Sequence, residues 1–445
     1  MDLVKIKQNT VGMILQFSIP AIIAMVLTSL ITVVDGFFIG NYVGEEGIAA
    51  VNLGLPIIYL FLSIGLMVSV GGVAIAGMSF GAGNLTACNQ VFRQTIVTTF
   101  LFSVLTGFAV ALFFEPMLNL LGAEGQVRES FKIYYGILLA ELIVMVVNSS
   151  FGMFIRGEGN PQFYMKVNLV SVLTNVALDY VFAAFFRVGI AGIAIASFLS
   201  EMVSFGMILY FFLKKAKVYH LGSFSFSVTL LKRTLLNGSS EFIGEMSTGI
   251  AMFAYNFVIM RKIGVDGVTA FTIVGYVAYM FSMIIVGFGQ GASPLISFSF
   301  GAKESGLAKK IRKQTNGFVF AIGVVVFVLM AVLSGWYSGL FVKNNTIQEM
   351  VRHGMLIFMV SFFFSGINAI TSFYFTSIGK AFESAVISLS RGLVVLLICI
   401  FVFPAYLGMT GVWLAAPVTE IITIVISAFF VHTDMVCCSA DTMEH

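Results

Sequence analysis

The chain has 445 residues, of which 59% are apolar and only 10% charged, and its formal net charge is +3. An ordinary soluble domain is about 25% charged, so a water-soluble fold with this composition could not cover its own surface. Soluble enzymes, disordered chains and nucleic-acid binders are excluded on that ground.

Twelve apolar stretches follow one another: 11–39, 47–78, 91–114, 131–155, 163–186, 189–213, 234–262, 267–298, 314–341, 352–377, 383–406 and 408–432. A membrane-spanning helix needs about 20 mostly apolar residues. Lipid leaves open backbone groups without partners, so continuous runs of this kind predict helices. The expected fold is an all-α integral membrane protein of twelve transmembrane helices. A carboxylate at membrane depth costs roughly 2.5–3.5 kcal/mol on insertion scales, which makes each one a functional candidate.

The first stretch carries Thr28, Thr32 and Asp35 on one helical face, with Pro20 expected to bend the helix. Asp35 reads either as a site residue or as an interfacial acid beside Asn41 and Glu45. The fourth stretch carries Glu141 and Asn148, seven apart. The fifth carries Asn168, Ser171, Asn175 and Asp179, a polar stripe that serves either an ion or the adhesion of helices. Ser197 in the sixth stretch adds a hydroxyl. The seventh carries Glu241, Glu245 and Thr248, with Glu241 near enough to the boundary to snorkel and Glu245 deeper. Ser361, Ser365, Asn368 and Ser372 form a stripe in the tenth.

Shifting the chain by 220 residues superposes Gly44 on Gly264, Ser79-Phe80-Gly81-Ala82 on Ser299-Phe300-Gly301-Ala302, Gln94-Thr95 on Gln314-Thr315 and Gly159 on Gly379. After one deletion, Gly189 meets Gly408 and Glu201 meets Glu420. The chain therefore reads as two copies of a six-helix unit, two pseudo-symmetric lobes, a plan typical of secondary transporters. The expected division is an N-lobe at 1–213, an inter-lobe loop at 214–233 and a C-lobe at 234–445. The equivalent positions of Glu201 and Glu420 point to a shared structural role. Seventeen of the 24 Lys and Arg fall on the N-terminus and the even-numbered connections. Both termini are therefore expected in the cytoplasm and the protein in the cell's inner (plasma) membrane.

The four cysteines, Cys88, Cys399, Cys437 and Cys438, show no zinc or disulfide spacing. The histidines, His220, His353, His432 and His445, lie at loops or ends. No phosphate loop, His-Glu-x-x-His or Gly-x-Ser-x-Gly occurs, so neither ATP use nor hydrolysis is expected.

Several motifs resemble the multidrug and toxic compound extrusion family, the MATE transporters. They are Phe17-Ser18-Ile19-Pro20, Val34-Asp35-Gly36-Phe37-Phe38-Ile39-Gly40, Ser79-Phe80-Gly81-Ala82-Gly83, and Arg156-Gly157-Glu158-Gly159-Asn160-Pro161 followed by Asn175 and Asp179. The resemblance implies a non-enzymatic antiporter that exports amphipathic, often cationic, small organic molecules. It also implies a cation site on Asp35, Asn175, Asp179 and Ser197, and a possible second acidic site on Glu245 or Glu241. Na+ or H+ would be the coupling ion, with no other cofactor, no structural metal and no obligatory protein partner beyond membrane lipid. A flippase for lipid-linked oligosaccharides is the alternative. It would need a basic cavity, and few Lys or Arg lie at membrane depth.

Overall fold

A computed structural model describes residues 1–120 and 122–441. Cys437 and Cys438 belong to a helix whose side chains are not described there, and His445 lies outside the described residues. Eleven helices among them are long and apolar enough to cross a membrane. They are α1 (Thr10–Tyr42), α2 (Leu55–Gly81), α3 (Leu85–Leu112), α4 (Gly125–Glu158), α5 (Pro161–Asp179, continued by a π-helical turn Tyr180–Phe185), α6 (Ile190–Lys214), α7 (Val228–Lys262), α8 (Val265–Gly301), α9 (Ser305–Phe341), α10 (Asn345–Ser377) and a last run from Ala381. That last run is broken at Gly408 (φ 55°, ψ −134°), which divides it into α11 (381–407) and α12 (409–441) and makes twelve spans.

The repeat is visible in the backbone. Gly189, before α6, has φ 72° and ψ −149°, the same left-handed corner that Gly408 makes before α12. Gly44 (φ 102°, ψ −169°) and Gly264 (φ 96°, ψ −164°) form a second matched pair. A side chain is strained in this region of backbone space, so glycine is retained in both copies.

Outward faces are apolar, as a lipid solvent demands: Val332 is 77% exposed and Trp336 66%. Interior packing relies on small residues and aromatic rings. At Gly54, where a short helix (Glu45–Leu53) turns into α2, a Cβ would fall 1.9 Å from the ring of Tyr135. The Tyr135 hydroxyl donates to the Val51 carbonyl at 2.7 Å, which fixes that ring in the space a side chain would need.

The chain forms two compact units, and they differ from the expected division. The first contains Met1 and Ile19–Gly238; the second contains Asp2–Ser18 and the chain from Ser239 onward. Two corrections follow. Residues 2–18 belong with the second unit, where Lys7 pairs with Glu304 at 2.6 Å and a Cβ on Gly291 would fall 2.5 Å from the Ser18 Cα. Residues 214–238, loop and start of α7 alike, belong with the first. There a Cβ on Gly71 would fall 2.1 Å from the Thr234 carbonyl oxygen, and one on Gly238 would fall 1.8 Å from that of Met67. Backbones this close need glycine on the contact face. Gly71 and Gly291 are 220 apart, and so are Gly238 and Ser18. The change of unit therefore occurs at the same repeat position in α1 and in α7.

The polar segment 215–227 is fastened along α3. Asn89 donates to the Val218 carbonyl at 2.8 Å and accepts from the His220 amide at 2.7 Å. Arg93 holds the carbonyls of His220 and Ser223, each at 2.7 Å. Gln94 exchanges two bonds with the Ser227 backbone. Tyr219 is fully buried among Phe92 and Phe154.

Candidate functional site

The polar stripe of α5 is buried on its inner side. Asn175 and Asp179 are both 0% exposed, four residues and so about one turn apart. From α6, Ser197 reaches the same point. From α1, the half-buried Asp35 completes it. Asn175 donates through Nδ2 to Asp35 Oδ1 and to Ser197 Oγ, each at 3.3 Å, and the Ser197 hydroxyl donates to Asp35 Oδ2 at 3.2 Å. The Asp179 carboxyl lies within hydrogen-bonding reach of Asp35. Four residues singled out in the sequence are thus brought together from three helices of the first unit.

The group is rich in acceptors and short of donors. Both oxygens of Asp179 and the Asn175 Oδ1 are buried without a hydrogen-bond partner. Two carboxylates cannot bond each other unless one holds a proton or a cation stands between them. The carboxylate, carboxamide and hydroxyl oxygens are hard ligands of the kind that suit an alkali cation, and the same pair can share a proton.

The surroundings extend the site along α4. Tyr134, Glu141 and Asn148 follow one another at intervals of seven, on one face. Tyr134 is buried and within electrostatic range of Asp35 and Asp179. Sequence reasoning missed Tyr134; the seven-residue interval ending at Glu141 and Asn148 was the available signal. Thr28 donates to Asn168 Oδ1 at 3.3 Å, one further link between α1 and α5. Thr32 is exposed and takes no part. α1 runs through Pro20 without interruption.

Glu241 and Glu245 lie one turn apart on α7, in the second unit, both half-buried. Arg391 of α11 is within electrostatic range of Glu241, but its ion pair is with Glu420, at 2.8 Å. Glu420 is also held by Asn368, whose Nδ2 donates to the Glu420 carbonyl at 3.0 Å and to Oε2 at 2.7 Å. The serine stripe of α10 is spent on packing: Ser372 bonds Ser384 and Ser388. In a connection outside the spans, Glu115 is held below the ordinary carboxylate range by Lys132 and Arg128, which both bond it.

Twelve spans in two repeated units, with acids gathered inside one of them, define a membrane transporter of the repeat-built class. The family model described as MatE matches residues 20–181 and 242–402, once in each repeat. The chain belongs to that family, a family of transporters and not of enzymes. It is 25% identical over 418 residues to the probable multidrug resistance protein YoeA of Bacillus subtilis, covering 90% of this chain and 89% of the relative. It is 21% identical over 421 residues to the multidrug export protein MepA of Staphylococcus saprophyticus, covering 94% of this chain and 92% of the relative. Among solved structures, the crystal structure of MATE in complex with MaL6 superposes with a TM-score of 0.91 at 22% identity, covering 96% of this chain and 97% of that one.

Proposed function

We propose that the protein is a cation-coupled exporter of amphipathic organic compounds, a multidrug efflux antiporter of the cell membrane with both termini in the cytoplasm. One observation carries the reading: Asp35, Asn175, Asp179 and Ser197 come together, and both Asp179 oxygens and the Asn175 Oδ1 are left without donors. The names of the relatives support the substrate class, and the family places the chain among transporters. Na+ or H+ is the coupling ion.

An ion entering the first unit neutralises the Asp35–Asp179 pair and satisfies the bare oxygens. In its absence the two acids hold each other in a costly state. Alternation between these conditions couples ion entry to substrate release. The gradient supplies about 2.3 kcal/mol per charge per 100 mV of membrane potential, together with its concentration difference. Glu245, with Glu241 beside it, forms a second acidic site in the second unit.

The test is ethidium efflux in everted vesicles, with sodium and pH gradients imposed separately. Uphill movement driven by one of the two identifies the ion and excludes a pore. Asp35→Asn abolishes the driven component while folded protein remains in the membrane. Full resistance to drugs conferred by Asp35→Asn overturns the assignment.

A further inference from the structure

The two units carry the same clamp with different charge. In the second, Asn368 donates to the carbonyl and to Oε2 of Glu420 at 3.0 and 2.7 Å. In the first, Asn148 donates to the carbonyl and to Oε2 of Glu201 at 2.9 and 2.6 Å. Asn148 and Asn368 are 220 apart, and Glu201 and Glu420 are 219 apart. The repeat therefore supplies an internal control: the two clamps match to within 0.1 Å, so a difference in role is sought in the residues around them.

Those residues differ in one direction. Glu420 is neutralised by Arg391, whose Nη2 and Nε lie 2.8 and 3.2 Å from Oε1. At the 220 shift, Ser171 stands in place of Arg391; its buried hydroxyl lies within reach of the Glu201 carboxyl but brings no charge to it. In the second unit the Ser427 hydroxyl donates to Asn368 Oδ1 at 2.9 Å. At the 219 shift the first unit has Ile208, and Asn148 Oδ1 is buried with no donor. Glu141 replaces Ser361, adding a second acid within electrostatic range of Glu201. The other titratable groups near Glu201 do not compensate. Tyr164 is a neutral phenol, and Arg156 lies over the Tyr164 ring, 5.0 Å from its centroid, without pairing with Glu201. Neither Glu141 nor Glu201 has an ion pair among the described residues.

We propose that Glu201, clamped by Asn148 with Glu141 beside it, is a second proton-holding acid of the first unit, distinct from the Asp35–Asp179 pair. An ionised carboxylate at membrane depth requires a partner of opposite charge. The second unit supplies one in Arg391, and the first supplies a serine, an unpaired carboxamide oxygen and another acid. A protonated carboxyl meets this setting: it still accepts from Asn148, and its new O–H has the Ser171 hydroxyl beside it as an acceptor. This adds to the ion-coupled reading above, yet its test requires neither substrate nor gradient.

The experiment is pH-difference infrared spectroscopy of the purified full chain in liposomes, following the carboxylic-acid carbonyl band. Wild type is expected to show a band that Glu201→Gln removes and that the double variant Asp35→Asn, Asp179→Asn retains. Ser171→Arg, which recreates the arrangement of the second unit, is expected to remove it as well, and Glu420→Gln to leave it unchanged. Gel filtration and thermal unfolding check that each variant is folded. If Glu201→Gln is folded and the band persists, or the double aspartate variant alone removes all of it, Glu201 is an ionised clamp like Glu420 and the proposal fails. If Glu201→Gln does not fold, Ser171→Arg decides: a retained band overturns the proposal.

Discussion

Replacing Glu420 by Gln tests the ion pair that distinguishes the two units. The carboxamide keeps an oxygen for Asn368 and leaves the Asn368 bond to the Glu420 carbonyl untouched, so the clamp survives. What is lost is the charge that faces Arg391 at 2.8 and 3.2 Å. Breaking a buried pair by removing one partner costs about 3–5 kcal/mol. The Arg391 side chain is 29% exposed against 10% for Glu420, so screening at the arginine end brings the expected cost down to about 2 kcal/mol. Thermal unfolding of purified protein, with the double-mutant cycle Glu420→Gln and Arg391→Met, reads this directly. Glu420→Gln lowers the midpoint, Arg391→Met added to it restores most of the loss, and the coupling term comes out above about 1 kcal/mol. A coupling near zero would show that the pair contributes nothing and would remove the contrast with Glu201, whose replacement by Gln is expected to leave the midpoint unchanged.

Asp179→Asn is expected to abolish ion-driven ethidium efflux as Asp35→Asn does, whereas Ser197→Thr, which keeps the hydroxyl, retains it and Ser197→Ala weakens it; vesicle assays rank the four. Gly71→Val and Gly291→Val each force a side chain into the backbone of a crossing helix, where a Cβ alone would stand 2.1 and 2.5 Å from its neighbour. Overpacking of this kind costs about 1–3 kcal/mol or more, and the yield and unfolding midpoint of the purified variants measure it. Glu115 is held below its ordinary range, so its contribution to stability is present above the unfolded value of about 4.3 and disappears as pH falls through the lower folded value. The small difference in midpoint between wild type and Glu115→Gln should therefore vanish at acid pH. Its persistence there would remove the charge explanation.

Local patterns were legible in the sequence because they depend on residues near one another. The apolar runs located the spans, and the repeat, at a shift of 219 after one deletion, marked Gly189 and Gly408 as equivalent; both are left-handed corners. The spacing of Asn175 and Asp179 placed both on one face of α5. Pairings between distant segments were not legible. Asn148 was noted for its interval from Glu141, yet nothing local tells that it clamps Glu201 on another helix. The bonds from Asn89, Arg93 and Gln94 to segment 215–227 are made to backbone carbonyls and amides, which leave no trace in residue type. The same holds for the starts of α1 and α7: membership in a unit is decided by glycine-to-backbone contacts at Gly71 and Gly291, and glycine is too common in this chain, at 44 residues, for two of them to stand out.

The placement of those two helix starts bears on how the protein could be taken apart. A gene cut between Ser227 and Val228 would give a leading fragment without residues 228–238, which fill the space against Gly71, and a trailing fragment without residues 2–18, which fill the space against Gly291. Each product would carry the other's missing piece. Neither half could mature alone, and the pair would regain function only when synthesised together, each lending a helical stub to its sibling.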